Sequence, residues 1–250
     1  MEENIFGCRL PTNKRQSIVD EDWFSILIMK GELIMPGKKV LFQGDSITDG
    51  ARGRTEDPNH ILGHGYPYLI AGKLQYQFVE SKPVFINRGI SGDRVSDLFA
   101  RWNEDAISLQ PDVISLLIGV NDAGRMIKGE PSGVTDRFER TYRYLLQETK
   151  EVLPHTGLVL CEPFILKTKS TSEKWDLWES KITAYQLMTR QLAEEFNAVF
   201  VPLQDTFNQA CKKAESSYWI WDGVHPTTAG HYLIAQEWLS IVQNSHLAIR

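Results

Sequence analysis

The chain has 250 residues, of which 42 % are hydrophobic and 24 % charged, an ordinary composition for a folded globular protein. Its net charge of −5 gives no electrostatic footprint for nucleic acid or for an anionic membrane surface. A chain of this length buries enough apolar surface to fold without disulfides or a structural metal, so one main domain is expected.

The cysteines are few and far apart, at Cys8, Cys161 and Cys211, which is typical of reduced thiols in a cytosolic protein. No CxxC or HExxH pattern marks a metal site. No apolar run approaches the ~18 residues of a membrane span. The acidic beginning of the chain lacks the pattern of a secretory signal. We therefore expect a cytoplasmic protein that binds neither nucleic acid nor membrane.

Residues 1–35 differ in composition from the rest, because polar stretches surround an apolar cluster at 23–28. A Pro-Gly pair at 36–37 then interrupts the chain. We predict an N-terminal arm over 1–35 that packs on the body or on a neighbouring subunit, followed by one domain over 36–250. An alternative is that Met29 or Met35 is the natural start. The apolar arm and the several tryptophans favour a homo-oligomer.

From residue 38 onwards, strand-like and helix-like patterns alternate. In chain order the sequence predicts a strand at 38–43, a helix at 66–79, a strand at 83–87, a helix at 96–109, a strand at 112–118, a helix at 135–152, a strand at 158–161, a helix at 175–196, a strand at 198–201 and a helix at 231–242 that is opened by Pro226.

This alternation predicts an α/β fold in which helices cover both faces of a parallel sheet, with right-handed crossovers. The nearly continuous apolar run at 112–118 fits a strand that is buried on both faces. Ligands in such folds bind outside the carboxyl ends of the strands. The loops that follow the strands are therefore the places to look for chemistry.

The first strand leads into the loop Gly-Asp-Ser-Ile-Thr-Asp-Gly at 44–50. A phosphate-binding loop requires a lysine after Gly50, and an α/β-hydrolase nucleophile elbow requires glycine where Thr48 stands, so neither motif is present. Ser46 remains as a serine at the end of a buried strand. A lone serine here more commonly caps a helix or forms a turn, and this loop alone does not establish catalysis.

A second polar group, Asp222 and His225, stands immediately before the last predicted helix. A serine nucleophile needs a base, and the base needs a group to orient it. Histidine, with an ordinary pKa of ~6.5, suits the first role, and a carboxylate three residues away can hold its tautomer. Each residue alone fits a capping or turn role better. Their joint occurrence with Ser46 favours a catalytic triad.

Acyl transfer also requires donors for the developing oxyanion. The second predicted strand ends in Asn87-Arg88-Gly89-Ile90-Ser91-Gly92-Asp93, where Gly92 can expose its backbone N–H because no side chain blocks the approach. The third strand ends in Gly119-Val120-Asn121-Asp122, where Asn121 can donate its side-chain amide. Glycine and asparagine are also the ordinary residues of such turns, so each signal is weak alone.

Together these residues resemble a known family. Gly44-Asp45-Ser46, Gly92, Gly119-Val120-Asn121-Asp122 and Asp222-Gly223-Val224-His225-Pro226 follow the order of the four sequence blocks of the SGNH, or GDSL, hydrolases. The resemblance spans about residues 38–243. Within the family, the chain is most similar to small bacterial carbohydrate acetylesterases, including intracellular acetylxylan esterases.

The resemblance implies a role for each matching residue. Ser46 is then the nucleophile, His225 the general base and later the general acid, and Asp222 the residue that orients His225. The oxyanion hole is formed by the backbone N–H groups of Ser46 and Gly92 and by the side chain of Asn121. The substrate is a small acetylated saccharide, for example an acetylated xylo-oligosaccharide, and no metal or organic cofactor is implied.

The family fold is a three-layer, flavodoxin-like α/β fold with about five parallel strands, and we assign it to 36–250. Two other functions stay open. A lysophospholipase or thioesterase would use the same chemistry but would need an apolar acyl channel. A non-catalytic carbohydrate-binding protein could share the fold, since fold does not imply function. The intact Ser, Asp and His set speaks against the latter.

Overall fold

The computed structural model describes residues 37–129 and 135–250, together with two short strands, β1 (Leu27–Met29) and β2 (Glu32–Ile34). These two strands pair antiparallel, with Leu27 opposite Ile34, in a unit separate from the one that starts at Met35. The rest of the predicted arm lies outside the described residues, as does Cys8. The arm and its packing therefore stay predictions.

The body contains a sheet of five parallel strands. They are β3 (Lys39–Gly44), β4 (Val84–Asn87), β5 (Val113–Leu117), β6 (Gly157–Cys161) and β7 (Val199–Val201). Their spatial order is β4-β3-β5-β6-β7, which is the flavodoxin-like order with a switch point between β3 and β5. The predicted parallel sheet is confirmed. The switch point identifies the loops after β3 and β5 as the walls of a ligand crevice.

Strand β5 forms the centre of the sheet because it pairs in parallel with β3 on one side and with β6 on the other. All five of its residues are buried. Coverage on both faces explains the unbroken apolar run that predicted this strand, since neither face contacts water.

Helices cover both faces of the sheet. They are α1 (Ser46–Asp49), α2 (Tyr66–Gln77), α3 (Val95–Ala100), α4 (Trp102–Asp105), α5 (Val120–Ile127), α6 (Thr135–Val152), α7 (Lys169–Ser172), α8 (Trp175–Glu195), α9 (Gln204–Ala210), α10 (Ser216–Trp219) and α11 (Thr228–Gln243). Helices α2 and α11 pack against each other, as do α3 and α6, and α5 and α8. The result is the predicted three-layer α/β fold.

The predicted helix at 96–109 is wrong as one element, because it is divided into α3, α4 and a single 3₁₀ turn. The backbone leaves helical geometry at Arg101 (φ −118°, ψ 11°) and again at Ala106 (φ −139°, ψ −63°). At the second break the Gln43 side-chain amide donates to the Asp105 carbonyl at 2.7 Å. A side chain from the sheet thus takes up a carbonyl that a continuous helix would use.

The last helix begins at Thr228 and not at the predicted His231. Thr227 is its N-cap and accepts a hydrogen bond from the Gly230 N–H at 3.2 Å. Pro226 precedes this cap and bridges to Ile220, so the prediction that it opens the helix is wrong. Helices α1, α5, α7, α9 and α10 were not predicted, since each has at most eight residues.

The face of the sheet under α2 and α11 is packed with aromatic rings. Phe42 of β3 contacts Tyr66, Phe85 and Trp238, with ring centroids 5.7, 6.3 and 5.8 Å apart. The Trp238 indole N–H donates to the Ser115 hydroxyl at 3.0 Å, and both residues are fully buried. This bond satisfies the only polar atom of the indole.

In the part of the chain that is described, no helix is both long and apolar enough to cross a membrane.

Ser115→Ala removes the hydroxyl that accepts this indole N–H and leaves the donor buried without a partner. We expect the free energy of unfolding to fall by about 1–3 kcal/mol. Urea unfolding followed by tryptophan fluorescence measures the loss. The exposed Ser180→Ala on α8 is the control and should stay within about 0.5 kcal/mol of the parent. Equal losses in both variants would contradict the assignment.

Candidate active site

Ser46 is the first residue of α1 and is separated from the end of β3 by Asp45 alone. The preceding Asp45 caps the helix by accepting the Ile47 N–H at 3.0 Å. A side chain at Gly44 would collide with the carbonyl oxygen of Leu117 on β5, so only glycine permits this close approach of the strands. The serine is therefore presented at the switch point of the sheet, at a helix N-terminus.

The structure brings Ser46 together with the two other predicted triad residues. The Ser46 Oγ lies 2.9 Å from His225 Nε2, and His225 Nδ1 lies 2.7 Å from Asp222 Oδ2. The His225 side chain is 43 % exposed, whereas that of Asp222 is 17 % exposed. A substrate can thus reach the imidazole while the carboxylate behind it stays sheltered.

Asp222 is held by its own turn. Its Oδ1 accepts the backbone N–H groups of Val224 at 2.9 Å and of His225 at 2.7 Å. Partial burial alone would raise the pKa of this carboxyl, but the hydrogen bonds from His225 and Val224 outweigh it and hold the pKa below its usual range. Asp222 is therefore ionised at neutral pH.

The three predicted oxyanion donors are also near the triad. Gly92 has a φ of +89°, and within the described chain its N–H donates to no backbone acceptor. Asn121 lies in the first turn of α5, where one amide hydrogen reaches the Asp93 carbonyl at 3.0 Å and a second remains. Gly92 and Asn121 line a cavity of about 530 Å³ together with Asp222 and His225.

Sequence reasoning missed a clamp between the loops after β3 and β4. The Asp49 Oδ2 atom accepts both the N–H and the hydroxyl of Ser91, each at 3.0 Å. Arg54 donates to both oxygens of Asp49 at 3.0 and 3.2 Å. Ser91 immediately precedes Gly92, so Asp49 fixes the Gly92 loop to the helix that begins at Ser46. The sequence itself gave no signal for this contact, because an aspartate in this position is an ordinary turn residue.

Further bonds hold the same loop. The Asn87 side-chain amide donates to the Thr48 carbonyl at 2.7 Å, and its oxygen accepts the Gly89 N–H at 2.9 Å. On the other side, the Arg101 guanidinium pairs with Asp93 at 2.9 Å. The backbone around Gly92 is thus supported on both flanks, and rigid placement is what an oxyanion donor requires.

Two carboxyl groups are buried beneath the site. Burial raises the pKa of Asp45 to about 7, although the Ile47 N–H opposes the shift. Burial likewise raises the pKa of Asp122 to about 7, although its bond with the Val95 N–H opposes the shift. Both groups therefore titrate near neutral pH. Among the described residues, no group of three or more His, Cys, Asp or Glu could hold a metal ion.

His231 does not join the triad, although it is only six residues beyond His225. It is buried in α11, and its Nδ1 accepts the Tyr66 N–H at the start of α2 at 3.3 Å. Burial lowers its pKa to about 4, so the ring is neutral at physiological pH. It joins two helices and does not act as a base in the site.

The chain has relatives of known family and structure. The GDSL-like Lipase/Acylhydrolase family profile matches residues 42–233. An acetylxylan esterase from Geobacillus stearothermophilus is 38 % identical over 209 residues, which cover 81 % of this chain and 93 % of that protein.

Solved structures of related proteins superpose on this chain. A protein from Parabacteroides merdae, described as a GDSL-like lipase, superposes with a TM-score of 0.79 at 40 % identity, covering 83 % of this chain and 97 % of its own. Axe2, an acetylxylan esterase from Geobacillus stearothermophilus, superposes with a TM-score of 0.74 at 36 % identity. The superposition covers 85 % of this chain and 97 % of Axe2.

Three Axe2 variants are described as catalytic mutants, with a serine, an aspartate or a histidine changed to alanine. The histidine stands 179 positions after the serine and three after the aspartate. The family match and these relatives show that the present chain belongs to the GDSL-like lipase/acylhydrolase family and is a carboxylic ester hydrolase.

Proposed function

We propose that the protein is a serine esterase that removes O-acetyl groups from carbohydrates, such as acetylated xylo-oligosaccharides, through an acyl-enzyme. The observation that carries this proposal is the hydrogen-bonded series from Ser46 Oγ to His225 Nε2 at 2.9 Å and from His225 Nδ1 to Asp222 at 2.7 Å. This is the arrangement in which a base activates a hydroxyl and a carboxylate orients the base.

In the first half-reaction the ionised Asp222 keeps the ring proton on Nδ1, so that Nε2 presents its lone pair to the serine. His225 accepts the hydroxyl proton as Ser46 Oγ attacks the acetyl carbonyl carbon. The tetrahedral intermediate then collapses: the bond to the sugar oxygen breaks, and that oxygen takes the proton from His225. The products are the free sugar hydroxyl and acetyl-Ser46.

In the second half-reaction His225 takes a proton from water, and the resulting hydroxide attacks the acetyl carbonyl. The bond from carbon to Ser46 Oγ breaks, and the serine recovers its proton from His225. Acetic acid leaves. The sum is one ester bond and one water converted into an alcohol and an acid, without a cofactor.

The negative oxygen of each tetrahedral intermediate faces three donors: the N–H of Ser46, the N–H of Gly92 and the side-chain amide of Asn121. Removal of one such donor typically costs about 10²–10³-fold in rate. The helical position of Ser46 aids its N–H, because the first amides of a helix have no internal partner.

Two further observations support the proposal. Ser46 and His225 are 179 residues apart and Asp222 precedes His225 by three, the same intervals that separate the serine, aspartate and histidine changed in Axe2. The relatives that cover most of the chain include acetylxylan esterases, which supports an acetylated xylo-oligosaccharide as substrate.

Ser46→Ala removes the attacking oxygen. We expect kcat on p-nitrophenyl acetate and on acetylated xylo-oligosaccharides to fall by roughly 10⁴- to 10⁶-fold, while the melting temperature stays near that of the parent. Acetate release and circular dichroism measure the two quantities. Ser240→Ala, at an exposed serine on α11, serves as the control and should keep full activity. Undiminished turnover by the Ser46 variant would refute the proposal.

Asp222→Asn keeps the shape of the residue but removes its charge and allows the wrong ring tautomer of His225. We expect kcat to fall by roughly 10⁴-fold, as it does when the orienting aspartate of a serine protease becomes asparagine. Steady-state kinetics on p-nitrophenyl acetate tests this. A loss smaller than about tenfold would mean that the carboxylate does not orient the base.

Asp49→Asn weakens the clamp on Ser91 without touching a reacting atom. We expect kcat to fall by roughly tenfold with KM little changed, because displacement of the Gly92 donor harms the transition state more than substrate binding. Asp57→Asn makes the same charge change in a turn where the described contacts of the Asp57 side chain are with Asn59 and His60, and it should keep both constants. A rise in KM with unchanged kcat would assign Asp49 to substrate binding instead.

A further inference from the structure

The cavity beside the triad is larger than an acetyl group requires. Its volume is about 530 Å³, and its lining includes His225 together with the oxyanion donors Gly92 and Asn121. Pockets of about 300–1,000 Å³ commonly hold whole small molecules. A methyl group fills only a small part of such a space, so most of the cavity is available to another part of the substrate.

The position of His225 indicates which part that is. In the proposed mechanism the leaving oxygen takes its proton from His225, so the group bonded to that oxygen lies on the His225 side of the ester. Because His225 lines the cavity, the sugar can extend directly into it. The lining also contains a hydroxyl, a carboxylate and an ammonium group, from Ser170, Glu173 and Lys174. Such a mixture of donors and acceptors suits the hydroxyl groups of a sugar.

An indole ring forms part of the same lining. Trp178 of α8 is half-buried and lines the cavity. Within the described ranges its indole N–H has no hydrogen-bond partner, yet the nitrogen is not sealed from solvent. An indole offers a flat apolar surface and one N–H donor. A sugar ring offers the complement, since it has apolar C–H groups on its faces and hydroxyl acceptors at its edge.

Gly124 allows this indole to approach the site. It lies inside α5, three residues after Asn121, so the two residues share one face of the helix about 4.5 Å apart along its axis. A Cβ atom at Gly124 would lie 3.2 Å from Trp178 Cη2, closer than the usual ~3.5–4.0 Å contact between carbons. A helix interior favours alanine over glycine, and the contact with Trp178 explains why glycine stands here. The ring is thereby held about one helical turn from an oxyanion donor.

We propose that Trp178 is a substrate-binding residue on which the acetylated sugar stacks, and that Gly124 is the positioning residue that lets the indole lie against α5. This inference rests on the proposed esterase function and identifies a determinant of its substrate preference. An acetate ester of a small alcohol uses the same triad but has no ring to place on the indole. Trp178 therefore favours acetylated sugars over simple acetate esters.

Trp178→Ala removes the indole. The measured quantity is the ratio of kcat/KM for acetylated xylotriose to kcat/KM for methyl acetate, both obtained from acetate release. We expect this ratio to fall by about three- to tenfold, the scale of one aromatic contact. Gly124→Ala displaces the ring while favouring the helix, and it should lower the ratio in the same direction. It decides the test if Trp178→Ala does not fold.

Trp175→Ala is the matched control, because Trp175 lies on the same helix, is also half-buried and is not among the residues that line the cavity. Its ratio should equal that of the parent. An unchanged ratio in Trp178→Ala, or an equal fall in Trp175→Ala, would overturn the inference. So would a loss confined to methyl octanoate relative to methyl acetate, since the cavity would then bind an acyl chain. Failure of the parent protein to hydrolyse acetylated xylotriose, methyl acetate and p-nitrophenyl acetate would instead refute the esterase function itself.

Discussion

The site depends on one hydrogen bond, between Ser46 Oγ and His225 Nε2, whose partners are 179 residues apart in the chain. Because the two residues are so far apart in the chain, only the tertiary structure can hold these two atoms 2.9 Å apart. The sheet provides the first half of the constraint, since β3 ends at its switch point. Helix α11 provides the other half, because Trp238 packs against Phe42 of the same strand and so fixes the helix that follows His225.

The turn that carries His225 is anchored independently of the helix. Its own ends are joined by a bond from the Trp221 N–H to the His225 carbonyl at 3.1 Å. Outside the turn, the Leu166 N–H donates to the Gly223 carbonyl at 3.0 Å, and the Ser170 N–H donates to the Asp222 carbonyl at 3.2 Å. The imidazole is thus oriented before substrate arrives, and the pre-organised geometry lowers the entropy cost of reaching the transition state.

The sequence was sufficient for features that follow from repeating patterns or from topology. The buried run of β5 predicted a central strand, and the rule that parallel strands end at one edge predicted that Ser46 and Asn121 would lie near each other. Contacts between specific side chains could not be predicted from the sequence. Asp49 reads as an ordinary turn residue until the fold places Ser91, 42 residues later, against its carboxylate. The break of the predicted helix at Ala106 likewise depends on Gln43, which reaches it from β3.

The ionisable groups near Ser46 differ in how deeply they are buried. In the proposed mechanism His225 becomes an imidazolium, and Asp222 is ionised against it. Asp45 lies deeper, where burial raises its pKa to about 7 while a charged His225 favours its ionised form. By reciprocity, an ionised Asp45 stabilises the imidazolium. Water screens that interaction less than it would screen an exposed pair, because Asp45 is buried although His225 is partly exposed.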